Sequence, residues 1–166
     1  MKGEARHRSI LAVLGPGSAS AHELEVADQV GRLAAALEWV VLTGGGPGVM
    51  EAACRGAVEA GGTTVGILPV ARPGGGYPNP WVEIPVFTGA GMARNAFNVL
   101  SADLCVAIGG GPGTLSEVAM AMKAGVEVWC YASWDLEPPR GGSHQVPTVF
   151  DTANELYKAL EERLEA

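Results

Sequence analysis

The sequence predicts a doubly wound, Rossmann-like α/β fold, a mostly parallel sheet with helices on both faces. Three observations carry that expectation. Short apolar runs alternate with longer segments of helical periodicity, three of the runs end in glycine, and the pentapeptide GGGPG occurs twice, at 44–48 and 109–113, each time between a β-branched run and a helix-forming segment. Strands covered on both faces read as near-continuous apolar runs, and parallel strands need crossover helices between them.

The elements follow in order. SILAVLG (9–15) is the first strand, and HELEVADQVGRLAAALE (22–38) repeats apolar residues at helical spacing. WVVLTG (39–44) is a strand, PGVMEAACRGAVEAG (47–61) a helix ending in a glycine pair suited to a left-handed cap, and TTVGILP (63–69) the third strand. After the Pro- and Gly-rich loop ARPGGGYPNP (71–80) come a strand at VEIPVF (82–87) and a helix at GMARNAFNVLSA (91–102). DLCVAIG (103–109), PGTLSEVAMAMKAG (112–125), VEVWCYA (126–132) and TANELYKALEERLE (152–165) add a strand, a helix, a strand and a closing helix. Trp39 and Trp129, at strand starts, read as packing residues, and Asp103 as a turn residue.

The 166 residues suit one domain, 1–166, with residues 1–8 as a solvated tail carrying the basic KGEARHR. A net charge of −7 and few clustered Lys or Arg argue against nucleic acid as a partner. No run approaches the ~20 apolar residues that span a bilayer, so no membrane association is expected. Cys54, Cys105 and Cys130 are widely spaced in apolar segments and read as buried thiols of a cytoplasmic protein. His7, His22 and His144 stand singly, and neither they nor the cysteines have metal-ligand spacing, so no metal is expected.

Sheets of this class bind ligands beyond the carboxyl ends of their strands, near a topological switch point. Three glycine turns fall there: GPGSAS (15–20) and the two GGGPG clusters. Glycine can simply supply a positive φ, and a neighbouring proline can simply open a helix. Three such turns on one rim also remove side chains where backbone amides and helix N-termini converge, which suits an anion without requiring Lys or Arg. The candidate binding residues are therefore Gly15, Gly17 and Ser18 from the first turn, Gly44, Gly45, Gly46 and Gly48 from the second, and Gly110, Gly111, Gly113 and Thr114 from the third. Ser18 and Ser20 either touch a phosphate or cap the helix starting near Ala21. Glu117, one turn into its helix, either faces the anion site or complements the helix dipole.

These residues resemble the superfamily of the Lonely Guy (LOG) phosphoribohydrolases, long misannotated as lysine decarboxylases, and the molybdenum cofactor carrier proteins. The resemblance runs from residue 9 to about 132 and rests on TGGGPGVMEAACRGAVEAGG (43–62), MARN (92–95) and GGGPGTLSE (109–117). LOG enzymes carry P-G-G-x-G-T-x-x-E, which Gly110, Gly111, Gly113, Thr114 and Glu117 match while Gly109 replaces the proline. In them the glutamate and an upstream arginine are catalytic, and Arg94 occupies the arginine's place. Arg94-Asn95 and Ser116-Glu117, where LOG enzymes read R-K and E-E, resemble the carrier branch. The resemblance implies a homodimer or homotetramer, to which Met120 and Met122 on a small-residue helix would be suited.

Two functions follow from the resemblance. In the first the protein is a carrier-like binder of a phosphorylated pterin or nucleotide: the glycine loops supply amides, Thr114 a hydroxyl, and Arg94, Asn95 and Glu117 complete the site. The ligand is then the molybdenum cofactor or a nucleoside monophosphate, and the protein needs no further cofactor. In the alternative, Glu117 stabilises an oxocarbenium-like transition state while Arg94 holds the substrate, and the N-glycosidic bond of a nucleoside 5′-monophosphate is hydrolysed to base and ribose 5-phosphate. Lysine decarboxylation needs a pyridoxal Schiff base, and Lys123 lies toward the end of its helix, away from the loops. Trp81 and Trp134 either anchor their loops or stack on a planar ring.

Overall fold

The computed structural model describes residues 7–136 and 145–165. In chain order these form β1 (Ile10–Leu14), α1 (Ala21–Ala36), β2 (Val40–Thr43), α2 (Val49–Glu59), β3 (Thr64–Leu68) and β4 (Ile84–Phe87). A 3₁₀ turn (Gly91–Ala93) then runs into α3 (Arg94–Leu100), followed by β5 (Leu104–Ile108), α4 (Pro112–Ala124), β6 (Val128–Tyr131), β7 (Thr148–Phe150) and α5 (Ala153–Glu165). The seven strands make one sheet in the order β4-β3-β2-β1-β5-β6-β7, every neighbouring pair parallel. The chain winds outward from β1 to β4, returns to β5 beside β1, and winds outward again to β7. The switch point, where neighbouring crossovers leave on opposite faces, therefore lies between β1 and β5.

Alternation along the buried strands divides the core in two. Leu11, Val13, Val41, Val106 and Ile108 point to the face covered by α1, α2 and α5, while Ala12, Leu14, Leu42, Cys105 and Ala107 point to the face covered by α3 and α4. On the first face α1 and α2 touch backbone to backbone. A Cβ on Gly31 would lie 2.1 Å from Ala53 O, and one on Gly56 would lie 2.0 Å from Asp28 O. Asp28 fastens the same contact by accepting from Arg32 Nε at 2.6 Å and Arg55 Nε at 2.9 Å. Because both helices start at the carboxyl rim, this contact sets the spacing of the loops that precede them.

Several expectations meet their structural reasons here. Ser20 is the N-cap of α1 in a reciprocal capping box, its N–H donating to Glu23 Oε2 at 2.7 Å and its Oγ accepting from Glu23 N–H at 3.2 Å. Gly61, at φ +81°, makes the left-handed turn after α2. Trp39 and Trp129 are buried, each with its indole N–H satisfied, by Leu164 O at 3.2 Å and Glu127 Oε1 at 3.0 Å. Asp103 ends the opposite rim of the sheet, where its Oδ2 accepts from Ile10 N–H at 2.8 Å. The three cysteines are free and buried. Among the described residues no helix is long and apolar enough to cross a membrane.

Three elements differ from expectation. The helix expected over 91–102 begins as a 3₁₀ turn and is α-helical only over Arg94–Leu100. The edge strand expected from residue 82 pairs only from Ile84. β7 was not anticipated at all, because it is three residues long, edge-placed and largely exposed, so it carries no apolar run. Residues 1–6, in the basic N-terminal segment, and His144 lie outside the described residues, whereas Arg8 is held by Glu38 O and Thr63 Oγ1.

A candidate anion site at the carboxyl rim

Beside the switch point the rim opens into a hollow of 660 Å³. Its walls come from the β1–α1 turn (Gly15, Pro16, Gly17), the start of α3 (Arg94, Asn95) and the first turns of α4 (Gly111, Gly113, Thr114, Glu117). Apolar residues, among them Met50, Met92, Met120 and Tyr77, make up much of the remainder. Of the residues singled out from sequence, Gly15, Gly17, Arg94, Asn95, Gly111, Gly113, Thr114 and Glu117 thus share one surface. Ser18, Gly44, Gly45, Gly46, Gly48 and Gly110 are not part of that wall.

The two GGGPG clusters separate at this point. In the second, Gly111 and Gly113 have nothing within 4 Å of where a Cβ would stand, so the space beside the start of α4 is open. Gly111 is the N-cap in an extended conformation and has no side-chain cap, and Pro112 opens the helix behind it. Gly109 takes φ +68°, a value closed to the proline that LOG enzymes have there, because proline is held near about −65°. Gly110 is exposed but lies beside Trp134, whose Nε1 would lie 2.9 Å from a Cβ there and donates to Gly111 O at 3.3 Å.

The first cluster is closed. Gly44, Gly45 and Gly46 are buried, and added Cβ atoms would meet Arg94 Nη1 at 2.0 Å, Leu68 Cδ2 at 2.1 Å and Met50 Cε at 2.8 Å respectively. Gly48, at φ 70° and ψ −128°, lies so close to the first turn that a Cβ would sit 2.4 Å from Pro16 O. The 71–80 loop seals this segment from above. Asn79 N–H donates to Gly45 O at 2.8 Å and Asn79 Nδ2 to Gly46 O at 2.9 Å. These glycines are therefore absent from the hollow's wall because they make room for what lines it, above all the Arg94 guanidinium lying on Gly44.

Arg94 and Glu117 are each more than nine-tenths buried. Their closest approach, Nη1 to Oε1, is 3.9 Å, an ion pair without a hydrogen bond. The hydrogen bond to that oxygen comes from Asn98, whose Nδ2 donates to Oε1 at 2.9 Å. Arg94 Nε has no partner among the described residues. Burial pushes the Glu117 carboxyl above its ordinary value, an effect that the Asn98 hydrogen bond and the Arg94 charge offset only in part. Asn95 ties the two helices together, its Nδ2 donating to Ser116 Oγ at 3.2 Å while that hydroxyl donates to Gly113 O at 2.7 Å.

Asn98 and Tyr77 were not singled out from sequence. Asn98 is four residues after Arg94, so helical spacing alone puts both side chains on one face. Tyr77 comes from a loop without periodicity, and no local signal marks it. Neither Trp81 nor Trp134 lines the hollow. Trp81 is held through its backbone, with its carbonyl accepting from Thr64 Oγ1 at 2.7 Å, and Trp134 stands next to the rim, over Gly110.

With this geometry established, comparison with known proteins is informative. The model of the SLOG cluster4 family matches residues 8–161. The chain belongs to the SLOG cluster4 family. A relative of undescribed function from Archaeoglobus fulgidus is 40% identical over 129 residues, 78% of this chain and 80% of its own. Among solved structures, the molybdenum cofactor binding protein of Rippkaea orientalis is 38% identical with a TM-score of 0.74, covering 96% of this chain and 88% of its own. The molybdenum cofactor carrier protein of Chlamydomonas reinhardtii is 33% identical with a TM-score of 0.77, covering 96% of this chain and all of its own, 100%. This SLOG cluster4 chain thus sits in the superfamily of LOG and molybdenum cofactor carrier proteins that its motifs resemble.

Proposed function

We propose that this SLOG cluster4 protein is a carrier-like binder of a phosphorylated small molecule with a planar ring, the molybdenum cofactor or a nucleoside monophosphate, held in the rim hollow. The observation that carries this reading is Arg94: a largely buried guanidinium that lines the hollow with no hydrogen bond to any described residue, its nearest anion Glu117 Oε1 at 3.9 Å, beside the start of α4. A buried charge short of hydrogen bonds is costly, and a phosphate supplies the missing acceptors in the bidentate geometry that arginine prefers. The residues fit such a group: Arg94, Gly113 and Thr114 line one hollow, and no protein atom occupies the space where a Cβ of Gly111 or Gly113 would stand. The apolar side, with Met50, Met92, Met120 and Tyr77, suits a flat polarisable ring. The names of the Rippkaea and Chlamydomonas relatives support the molybdenum cofactor as the first ligand to try.

Calorimetric titration with the molybdenum cofactor and with adenosine 5′-monophosphate tests the reading. Binding of at least one is expected, and Arg94→Gln should weaken it by about 10- to 100-fold, the worth of a charge-assisted hydrogen bond. Absence of binding by both ligands would overturn it. One observation favours hydrolysis as a second reading, namely that Glu117 lines the same hollow with Oε2 unbonded among the described residues. Release of free adenine during the same incubation, followed by chromatography, would establish that reading and remove the pure carrier.

A further inference from the structure

The hollow holds one buried cation and one buried anion, and among the described residues no other charged side chain lines it. An anion drawn to Arg94 therefore also approaches Glu117, whose Oε1 lies 3.9 Å from Arg94 Nη1. Asn98 Nδ2, at 2.9 Å from Oε1, holds the carboxyl in place, and Asn98 is itself fully buried, so the group has little freedom to swing away. Two negative groups sharing one guanidinium at low dielectric repel each other, and the standard resolution is that one of them takes a proton.

We propose that the hollow takes its anionic ligand together with one proton, which Glu117 accepts, so that binding is an exchange in which the ligand replaces the Glu117 carboxylate as the counter-ion of Arg94. The proton comes from solvent and the ligand's charge is unchanged. This rests on the reading of the hollow as a phosphate site.

The groups around Glu117 leave it as the proton acceptor. From α3 it meets Arg94 and Asn98. From β5 it meets Cys105, whose thiol is pushed up to about 12 by burial and by Glu117 itself. That thiol does not ionise near neutrality, and α4 adds only Lys123 in its last turn. Glu117 is already displaced upward in the free protein by burial, so a second negative charge nearby moves it further toward neutrality.

The sign of the effect follows. The bound state holds Glu117 protonated more readily than the free state, so affinity is highest at low pH. It declines as pH rises past the free-state titration of Glu117, and levels off only above the bound-state titration.

The test is calorimetry of ribose 5-phosphate, which has no base to lose, binding to the full chain in buffers of differing ionisation enthalpy between about pH 5 and 8. Wild type is expected to take up as much as one proton per ligand beyond the count for Glu117→Gln, and the difference removes the phosphate's own titration. Glu117→Gln keeps the acceptor for Asn98, and at the upper end of the range it should bind about tenfold tighter than wild type, equivalent to one pKa unit of coupling. Equal proton counts and equal pH slopes in the two proteins would overturn the exchange while leaving the phosphate site intact. Failure of both to bind at any pH would overturn the exchange, because the hollow would then not take a phosphate by its charge, whereas the reading as a site for a ringed phosphate is decided by the titrations with the molybdenum cofactor and adenosine 5′-monophosphate. If Glu117→Gln does not fold, wild type still decides the matter, because binding near pH 8 is above most of the phosphate's titration, about pH 6, and a proton count of zero across the range excludes uptake.

Discussion

The two GGGPG segments share a sequence and a place in the fold, yet they use their glycines for opposite ends. At 44–48 the missing side chains let other atoms in: Arg94, Leu68, Met50 and the Pro16 carbonyl occupy the volume. At 111 and 113 the missing side chains leave the volume beside the start of α4 empty. One pentapeptide thus builds the hollow from behind by seating its cation, and the other from in front by leaving that space open. The lesson is that a glycine-rich loop after a strand reports a shortage of space, and only the neighbours tell whether protein or ligand fills that space.

The largest expected effect in breaking this contrast comes from Gly48→Ala. Its φ 70° and ψ −128° lie in a region essentially reserved for glycine, and the new Cβ would meet backbone at 2.4 Å, which cannot yield as a side chain can. Thermal or denaturant unfolding should show a loss of about 3 kcal/mol or more. Gly44→Ala comes next and separates seating from stability. Its Cβ would fall 2.0 Å from Nη1 at the tip of a flexible side chain, so the fold yields at a cost of about 1–2 kcal/mol while the guanidinium is displaced and affinity for adenosine 5′-monophosphate falls by tenfold or more. Gly113→Ala is the smallest and has the opposite sign. An alanine inside α4 with nothing near its Cβ should raise stability by about 0.5–1 kcal/mol, measured by denaturation, yet weaken ligand binding by intruding on the hollow. A destabilised Gly113→Ala with unchanged binding would erase the distinction between the two loops.

Most of the fold was legible because it depends on local pattern. β1 and β5 are apolar without interruption, and α1 announces its start with Ser20 and Glu23. β7 was not legible, since an exposed three-residue edge strand is fixed by pairing with β6 alone. The hollow was legible in part. Gly111, Gly113, Thr114 and Glu117 follow one another along α4, and Arg94 came from the family resemblance. The inward role of Gly44 was hidden because its partner lies 50 positions away on α3, and nothing in TGGGPG records that contact. Asn98 was overlooked although its spacing from Arg94 on α3 pointed to it.

The chain's overall charge of −7 acquires a kinetic meaning beside a hollow in which, among the described residues, Arg94 is the one cation. A dianion diffusing toward this surface meets a repulsive far field and is attracted only within the last few ångströms, the reverse of an electrostatic funnel. Dissolved electrolyte damps the long-range repulsion before it reaches the buried guanidinium, so capture quickens as ionic strength rises. If the hollow takes a phosphorylated ligand as proposed, loading would be readiest where that ligand is handed over at close quarters and poorest from dilute solution.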